Sequence, residues 1–101
     1  SGAQKRGGGE AEAVLDELAE CVPAPGSVGE RLDAAELAKA IDSFLKSQDV
    51  RARRVFIQRC FECAPVPEIA SRNGMSEQAV RSLLYRTRAK LRDYLESEDL
   101  L

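Results

Sequence analysis

The sequence predicts an all-α fold, in which a domain of four helices ends in a helix-turn-helix. Apolar residues recur at helical spacing in successive segments, and no alternating pattern typical of β-strands occurs in the 101 residues. Proline and glycine clusters separate these segments, as they do at helix ends. A chain of this length has room for one small domain with tails. We expect the domain at residues 31–97, a flexible tail and linker with a short helix at residues 1–30, and a tail at residues 98–101.

The first thirty residues place one helical segment between two stretches that disfavour helix. Residues 1–9 are polar and rich in glycine, so we expect them to be disordered. Glu10–Cys21 consists largely of good helix formers, with Val14, Leu15 and Leu18 on one side, which predicts a short helix. The next stretch, VPAPGSVG at residues 22–29, has the composition of a linker.

Two longer helices are predicted before the helix-turn-helix. The first spans Leu32 to Gln48, and the second runs from Val50 to about Cys63, with Asp49 placed to cap its first turn. The arginines of the second helix, Arg51, Arg53, Arg54 and Arg59, are predicted to be mostly solvated surface, while some could approach a phosphate or an acidic partner. The predicted buried residues are Leu37, Ile41, Phe44 and Leu45 in the first helix and Val55, Phe56, Cys60 and Phe61 in the second.

The segment from Pro65 to Leu95 has the local signals of a helix-turn-helix. Pro67 suits the start of a helix, where its missing N–H costs nothing. Gly74 can adopt the left-handed conformation that ends a short helix, and Ser76 can cap the next one. A short helix, a tight turn and a capped longer helix form the arrangement that lays its second helix in the major groove of DNA.

The second helix of this motif has one apolar face and one basic face. Arg81, Tyr85, Arg88 and Arg92 follow i, i+4, i+7, i+11 spacing, and we call these four residues the basic row. An ordinary amphipathic helix with a solvated arginine face gives the same pattern, but the capped turn upstream favours a DNA-binding helix. The apolar face comprises Val80, Leu83, Leu84, Thr87, Leu91 and Tyr94.

The charges of the chain are strongly segregated. The net charge is −2, yet residues 10–49 contain ten acidic and three basic residues, whereas residues 50–92 contain ten basic and three acidic ones. Nucleic acid binding depends on a local basic surface and not on the charge of the whole chain. The distribution therefore favours a nucleic-acid partner for the second half.

Several function classes are excluded or disfavoured. The chain has no histidine, which excludes Ser-His-Asp and Cys-His catalysis and histidine-containing metal sites. It has no phosphate-binding glycine motif and no apolar run long enough to span a membrane, so we expect a cytoplasmic protein without cofactors that is not an enzyme. Cys60 and Cys63 spell CxxC, which indicates either a redox or zinc site or two small apolar residues packed in a helix. The second interpretation is preferred because no second cysteine pair completes a zinc site.

The segments AIDSFLKSQDVRARRVFIQRCF and PEIASRNGMSEQAVRSLLYRTRAKLRDYL, in this order and spacing, resemble a known family. From about Arg31 to Glu96 the chain is similar to region four of bacterial RNA polymerase sigma factors of the extracytoplasmic-function type. The preceding LDELAECVPAPGSVGERLDAAELAKAI is similar to the linker between regions two and four. The implied fold is an all-α helix-turn-helix domain of winged-helix-like or sigma region four type. Region two has no counterpart, so we expect the C-terminal domain of such a factor.

The resemblance implies recognition of the minus-thirty-five element of double-stranded promoter DNA during transcription initiation. It further implies docking on the beta-subunit flap of the RNA polymerase core, with an anti-sigma factor as another candidate partner and no membrane contact. The alternative is a helical module that binds the polymerase core or an anti-sigma factor and binds DNA weakly by itself. The residues matching the DNA-contacting helix are Arg81, Ser82, Tyr85, Arg86 and Arg88, with Gln78 at its start and Arg92 as a phosphate contact.

Overall fold

The computed structural model describes residues 2–22 and 34–101, which form five helices and contain no β-strand. The predicted all-α fold class is therefore confirmed, and the strandless sigma region four arrangement fits these residues better than one with a β wing. The predicted linker at residues 22–29 lies almost wholly outside the described residues. The helices are α1 (Gly2–Ala19), α2 (Ala34–Ser47), α3 (Val50–Cys60), α4 (Val66–Asn73) and α5 (Glu77–Ser97).

Helix α1 begins earlier than the sequence predicted. Disorder was expected up to residue 9, but the backbone is helical from Gly2 and the helix ends at Ala19. Val14 and Cys21 are 2% and 1% exposed, so this end of the chain is packed against the domain. Leu15 was expected on the same side as Val14 but is 65% exposed, because a step of one residue turns the side chain by 100° around the helix.

The core of the domain is built around α5, which contacts α2, α3 and α4. Leu91 and Leu95 on α5 are 0% exposed, as are Val55 on α3 and Ile69 on α4. Tyr94 also packs on Phe44 of α2, with ring centroids 5.7 Å apart. All six residues of the predicted apolar face of α5 are buried or half-buried, so that interpretation is confirmed. Contact of one face with three helices fixes the direction of α5 and leaves the rest of its surface to solvent.

Helix α3 has a buried stripe that contains two of the four predicted residues, Val55 and Phe56, while Cys60 is half-buried. Ala52, Val55, Phe56 and Arg59 are buried, at i, i+3, i+4 and i+7 spacing. Phe61 was expected to be buried but is 66% exposed, because at 100° per residue it lies on the opposite side from Arg59. Most arginines of this helix were expected on the surface, with some near an acidic partner; Arg59 lies on the core side. The Asp49 cap is confirmed, since its Oδ1 accepts a hydrogen bond from the Ala52 N–H at 2.8 Å.

The turn between α4 and α5 has the predicted geometry. Gly74 ends α4 in the left-handed conformation, with φ of 62°. The Met75 N–H donates to the Ala70 carbonyl at 2.9 Å, and the Ser76 hydroxyl accepts from the Ala79 N–H at 3.0 Å. Asn73 secures the end of α4, because its Nδ2 donates to the Ile69 carbonyl at 2.8 Å and to Gln58 Oε1 at 2.9 Å. These bonds fix the angle between the two helices of the motif.

We predict that Gly74→Ala lowers the free energy of unfolding by about 1–2 kcal/mol, since a Cβ is strained at positive φ. No atom lies within 4 Å of the added Cβ, so backbone strain is the whole cause. Gly9→Ala is the matched control, because its Cβ also meets nothing within 4 Å and Gly9 lies inside α1. Urea unfolding of both variants measures the effect. An equal loss in both, or none at Gly74, would contradict the turn geometry.

Candidate nucleic-acid interface

The first half of α5 presents most of the predicted contact residues to solvent. Tyr85 is 66% exposed and the Arg81 side chain is 57% exposed, with its Nη2 3.5 Å from Glu77 Oε1. Gln78 and Arg86 are exposed, and Ser82 is half-buried. The Glu77 carboxylate lies in the first turn of α5, where its negative charge interacts favourably with the positive end of the helix dipole.

An open cleft gathers these side chains on one surface. It is bounded on one side by α5 and on the other by Glu10 and Glu17 of α1, with Pro67 of α4 at its edge. Arg92 lines a second, smaller hollow together with Tyr85, Glu20 and Ala89. Six of the seven predicted contact residues line the cleft itself: Gln78, Arg81, Ser82, Tyr85, Arg86 and Arg88.

Arg88 lies in a different environment from the one predicted. It was expected to face solvent, but its side chain is only 15% exposed because the end of α1 packs over it. Its Nη1 lies 3.6 Å from Glu17 Oε1, and its Nε lies 3.6 Å from Glu20 Oε1. Among the residues that the structure describes, Arg88 Nε has no partner within hydrogen-bond distance. Arg88 is thus held by charge attraction without well-formed hydrogen bonds.

Arg92 contacts α1 through the backbone. Its side chain is 53% exposed, its Nη1 donates to the Glu20 carbonyl at 2.8 Å, and its Nε lies 3.4 Å from Glu96 Oε2. The basic row is therefore divided. Arg81 and Tyr85 are available to a ligand, whereas Arg88 and Arg92 contact the acidic end of α1.

Arg59 is the principal residue of this region that the sequence prediction missed. Its guanidinium makes two hydrogen bonds to Glu17, at 3.2 and 2.9 Å, one to Glu10 at 2.7 Å, and one to the Ala64 carbonyl at 2.9 Å. The Glu17 carboxylate, followed by Glu10, raises the pKa of Arg59 against the opposing effect of burial. Arg59 thereby fastens α1 to α3. Its place in the buried stripe of α3 is the signal that could have identified it.

The thiols have an apolar environment. Burial raises the pKa of Cys21 to about 11 and that of Cys60 to about 12, so both thiols are protonated at neutral pH. All three cysteines are free. Within residues 2–22 and 34–101, no group of three or more candidate ligands is arranged to hold a metal ion. Burial favours packing over redox chemistry for Cys60, but the two cysteines do not share a helix, because α3 ends at Cys60 and Cys63 lies beyond it, half-buried and with φ of 54°.

The side chains that α5 contributes to the cleft suit a polyanion such as DNA, whose base edges carry hydrogen-bond donors and acceptors. Arginine can donate bidentately to the O6 and N7 atoms of guanine, and glutamine or serine can reach base edges or phosphate oxygens. An exposed tyrosine ring can lie against a thymine methyl group or a sugar. The fold and this surface define the class of helix-turn-helix proteins with a basic recognition helix.

Comparison with known proteins identifies the family. The family described as Sigma-70, region 4 matches residues 45–91, which run from Leu45 near the end of α2 to Leu91 in α5. The RNA polymerase sigma factor SigF of Mycobacterium tuberculosis, from two strains, is 34% identical over 93 residues. Residues 45–91 are therefore a sigma-70 region 4 domain. The extracytoplasmic-function subtype stays a prediction.

The match covers only part of the length of these relatives. It covers 89% of this chain and 33% of SigF, so the chain spans about a third of the length of these relatives. No solved structure matches the chain. None of the helices in the described part is both long and apolar enough to cross a membrane.

Proposed function

We propose that this domain recognises the minus-thirty-five element of promoter DNA and so supports transcription initiation in the cytoplasm as part of a sigma factor. One observation carries the proposal. After a fixed glycine turn, α5 exposes a face of Arg81, Tyr85 and Arg86 along one open cleft. Its buried face holds it rigidly, as a helix that enters the major groove requires.

The side chains divide into two proposed roles. Arg81 and Arg86 read base edges, with Gln78 and Ser82 at the start of the helix as additional contacts. Tyr85 packs against a thymine methyl group or the sugar backbone. Arg88 and Arg92 serve phosphates and position the helix without reading sequence.

The proposed protein partner is the RNA polymerase core, through the flap of its beta subunit. Val50 and Phe61 on the outer side of α3 are 59% and 66% exposed, although both are large apolar side chains. They are eleven residues apart, which places them about 20° from each other around a helix, close to one line. Exposed apolar side chains fit a protein surface better than they fit DNA, and the exposed Arg54 lies between these two. An anti-sigma factor is a second candidate for the same surface.

The alternative function is a module that binds polymerase or an anti-sigma factor and binds DNA weakly by itself. The contacts of Arg88 and Arg92 with α1 favour it, because they withhold two phosphate-binding groups in the free chain.

Selection of bound duplexes from a random library, with and without polymerase core, tests the proposal. We expect one consensus sequence to be enriched in both conditions, and more strongly with the core present. Enrichment only with the core would support the alternative function. No enrichment in either condition would contradict promoter recognition.

A further inference from the structure

We propose that the end of α1 beyond Glu17 is a displaceable acidic cover, which competes with DNA phosphates for Arg88 and Arg92. The inference rests on the proposed function and concerns the regulation of the same surface. The cover consists of Glu20 and the backbone at the end of α1, and it lies against the second half of the basic row, while the hydrogen bonds of Glu17 to Arg59 keep the rest of α1 on α3.

The position of the cover coincides with the path of a bound backbone. Glu10 and Glu17 line the same cleft as Arg81, Tyr85 and Arg86, so a duplex seated on these residues brings phosphates beside the two carboxylates. Residues 10–20 contain five acidic residues and no basic one. Like charges at such separations repel, so docked α1 and a seated duplex disfavour each other.

The contacts of the cover with Arg88 are weak enough for a DNA phosphate to replace them. Both ion pairs are 3.6 Å long, and Glu20 is 65% exposed, which makes its pair with Arg88 a surface salt bridge of small value. Glu17 directs its hydrogen bonds to Arg59 and not to Arg88. A phosphate can instead give Arg88 charge-assisted hydrogen bonds of about 2.7–2.9 Å.

Cys21 can report the displacement of the end of α1. Cys21 lies two residues after the end of α1 and is 1% exposed, because the end of α1 holds it against the core. A thiol reagent therefore reaches Cys21 only when this end of the chain lifts away. Its alkylation rate measures the position of α1 independently of DNA affinity.

The test uses Glu20→Gln in the whole chain, because Glu20 contacts Arg88 without contacting Arg59. Glu12→Gln is the matched control: it removes the same charge from the exposed side of α1, and no contact of Glu12 with the basic row is present. The probe is the duplex enriched by selection. We expect Glu20→Gln to bind it about 2- to 5-fold more tightly than Glu12→Gln does. Saturating duplex should also speed the alkylation of Cys21, assigned by peptide mass mapping.

Two failures are distinguishable in this experiment. If the chain binds the duplex but both variants bind it equally, and bound duplex leaves the Cys21 alkylation rate unchanged, the cover is overturned while promoter recognition stands. If neither the parent nor either variant binds any duplex, promoter recognition fails and the competition fails with it.

Discussion

Leu91→Ala is expected to lower the free energy of unfolding by about 2–5 kcal/mol, the range for a leucine deleted from a packed core. Leu91 is 0% exposed and lies on α5, the helix that contacts α2, α3 and α4. Loss of its side chain leaves a cavity at the junction of these helices. A small domain has a total stability of only about 5–15 kcal/mol, so a measurable unfolded fraction is expected. The midpoint of urea unfolding, followed by circular dichroism, measures the loss.

Leu15→Ala is the control for this prediction. It makes the same chemical change, but Leu15 is 65% exposed on α1. Its effect is expected to stay within about 0.5 kcal/mol. Comparable losses in the two variants would show that α5 does not organise the core as described.

Arg81→Ala is expected to weaken binding to the preferred duplex by about 1–3 kcal/mol and to reduce the preference for it over a scrambled duplex. Arg81 is exposed near the start of α5, where a recognition helix reaches base edges. Its weak pair with Glu77, at 3.5 Å, does not prevent it from binding a base. Fluorescence anisotropy with both duplexes measures the change.

Two further variants distinguish recognition of bases from a general effect of positive charge on affinity. Arg92→Ala should weaken binding to both duplexes alike, as expected for a phosphate contact. Lys46→Ala removes a positive charge that is likewise paired at i, i+4, with Asp42, but on α2. It should change neither affinity nor preference appreciably. If Arg81→Ala discriminates between the two duplexes as the parent does, the role assigned to Arg81 is wrong.

Local signals were sufficient to predict most of the fold. The Asp49 and Ser76 caps and the Gly74 turn each depend on residues close in sequence, and the structure contains all three. The apolar face of α5 likewise follows from helical periodicity alone. The exposed part of the site, from Gln78 to Arg86, could be predicted for the same reason.

The rest depends on contacts between distant parts of the chain. Arg59 is buried because Glu10 and Glu17, more than forty residues earlier, supply its partners. Arg88 is covered because α1 ends beside it. A buried arginine requires such partners, and their approach follows from tertiary packing that one segment does not encode. The prediction that Phe61 is buried failed for a different reason, because the spacing of the buried stripe in α3 already places Phe61 on the solvent side.

The salt dependence of duplex binding tests the central claim most directly. If the four arginines of α5 that are assigned to DNA each neutralise about one phosphate charge, the slope of the logarithm of the binding constant against the logarithm of salt concentration is about −3.6. Anisotropy titrations of the whole chain with the selected duplex, over a series of salt concentrations, give this slope. We expect a steep, linear decrease together with preference over the scrambled duplex. A flat salt response would contradict DNA recognition by the basic face of α5.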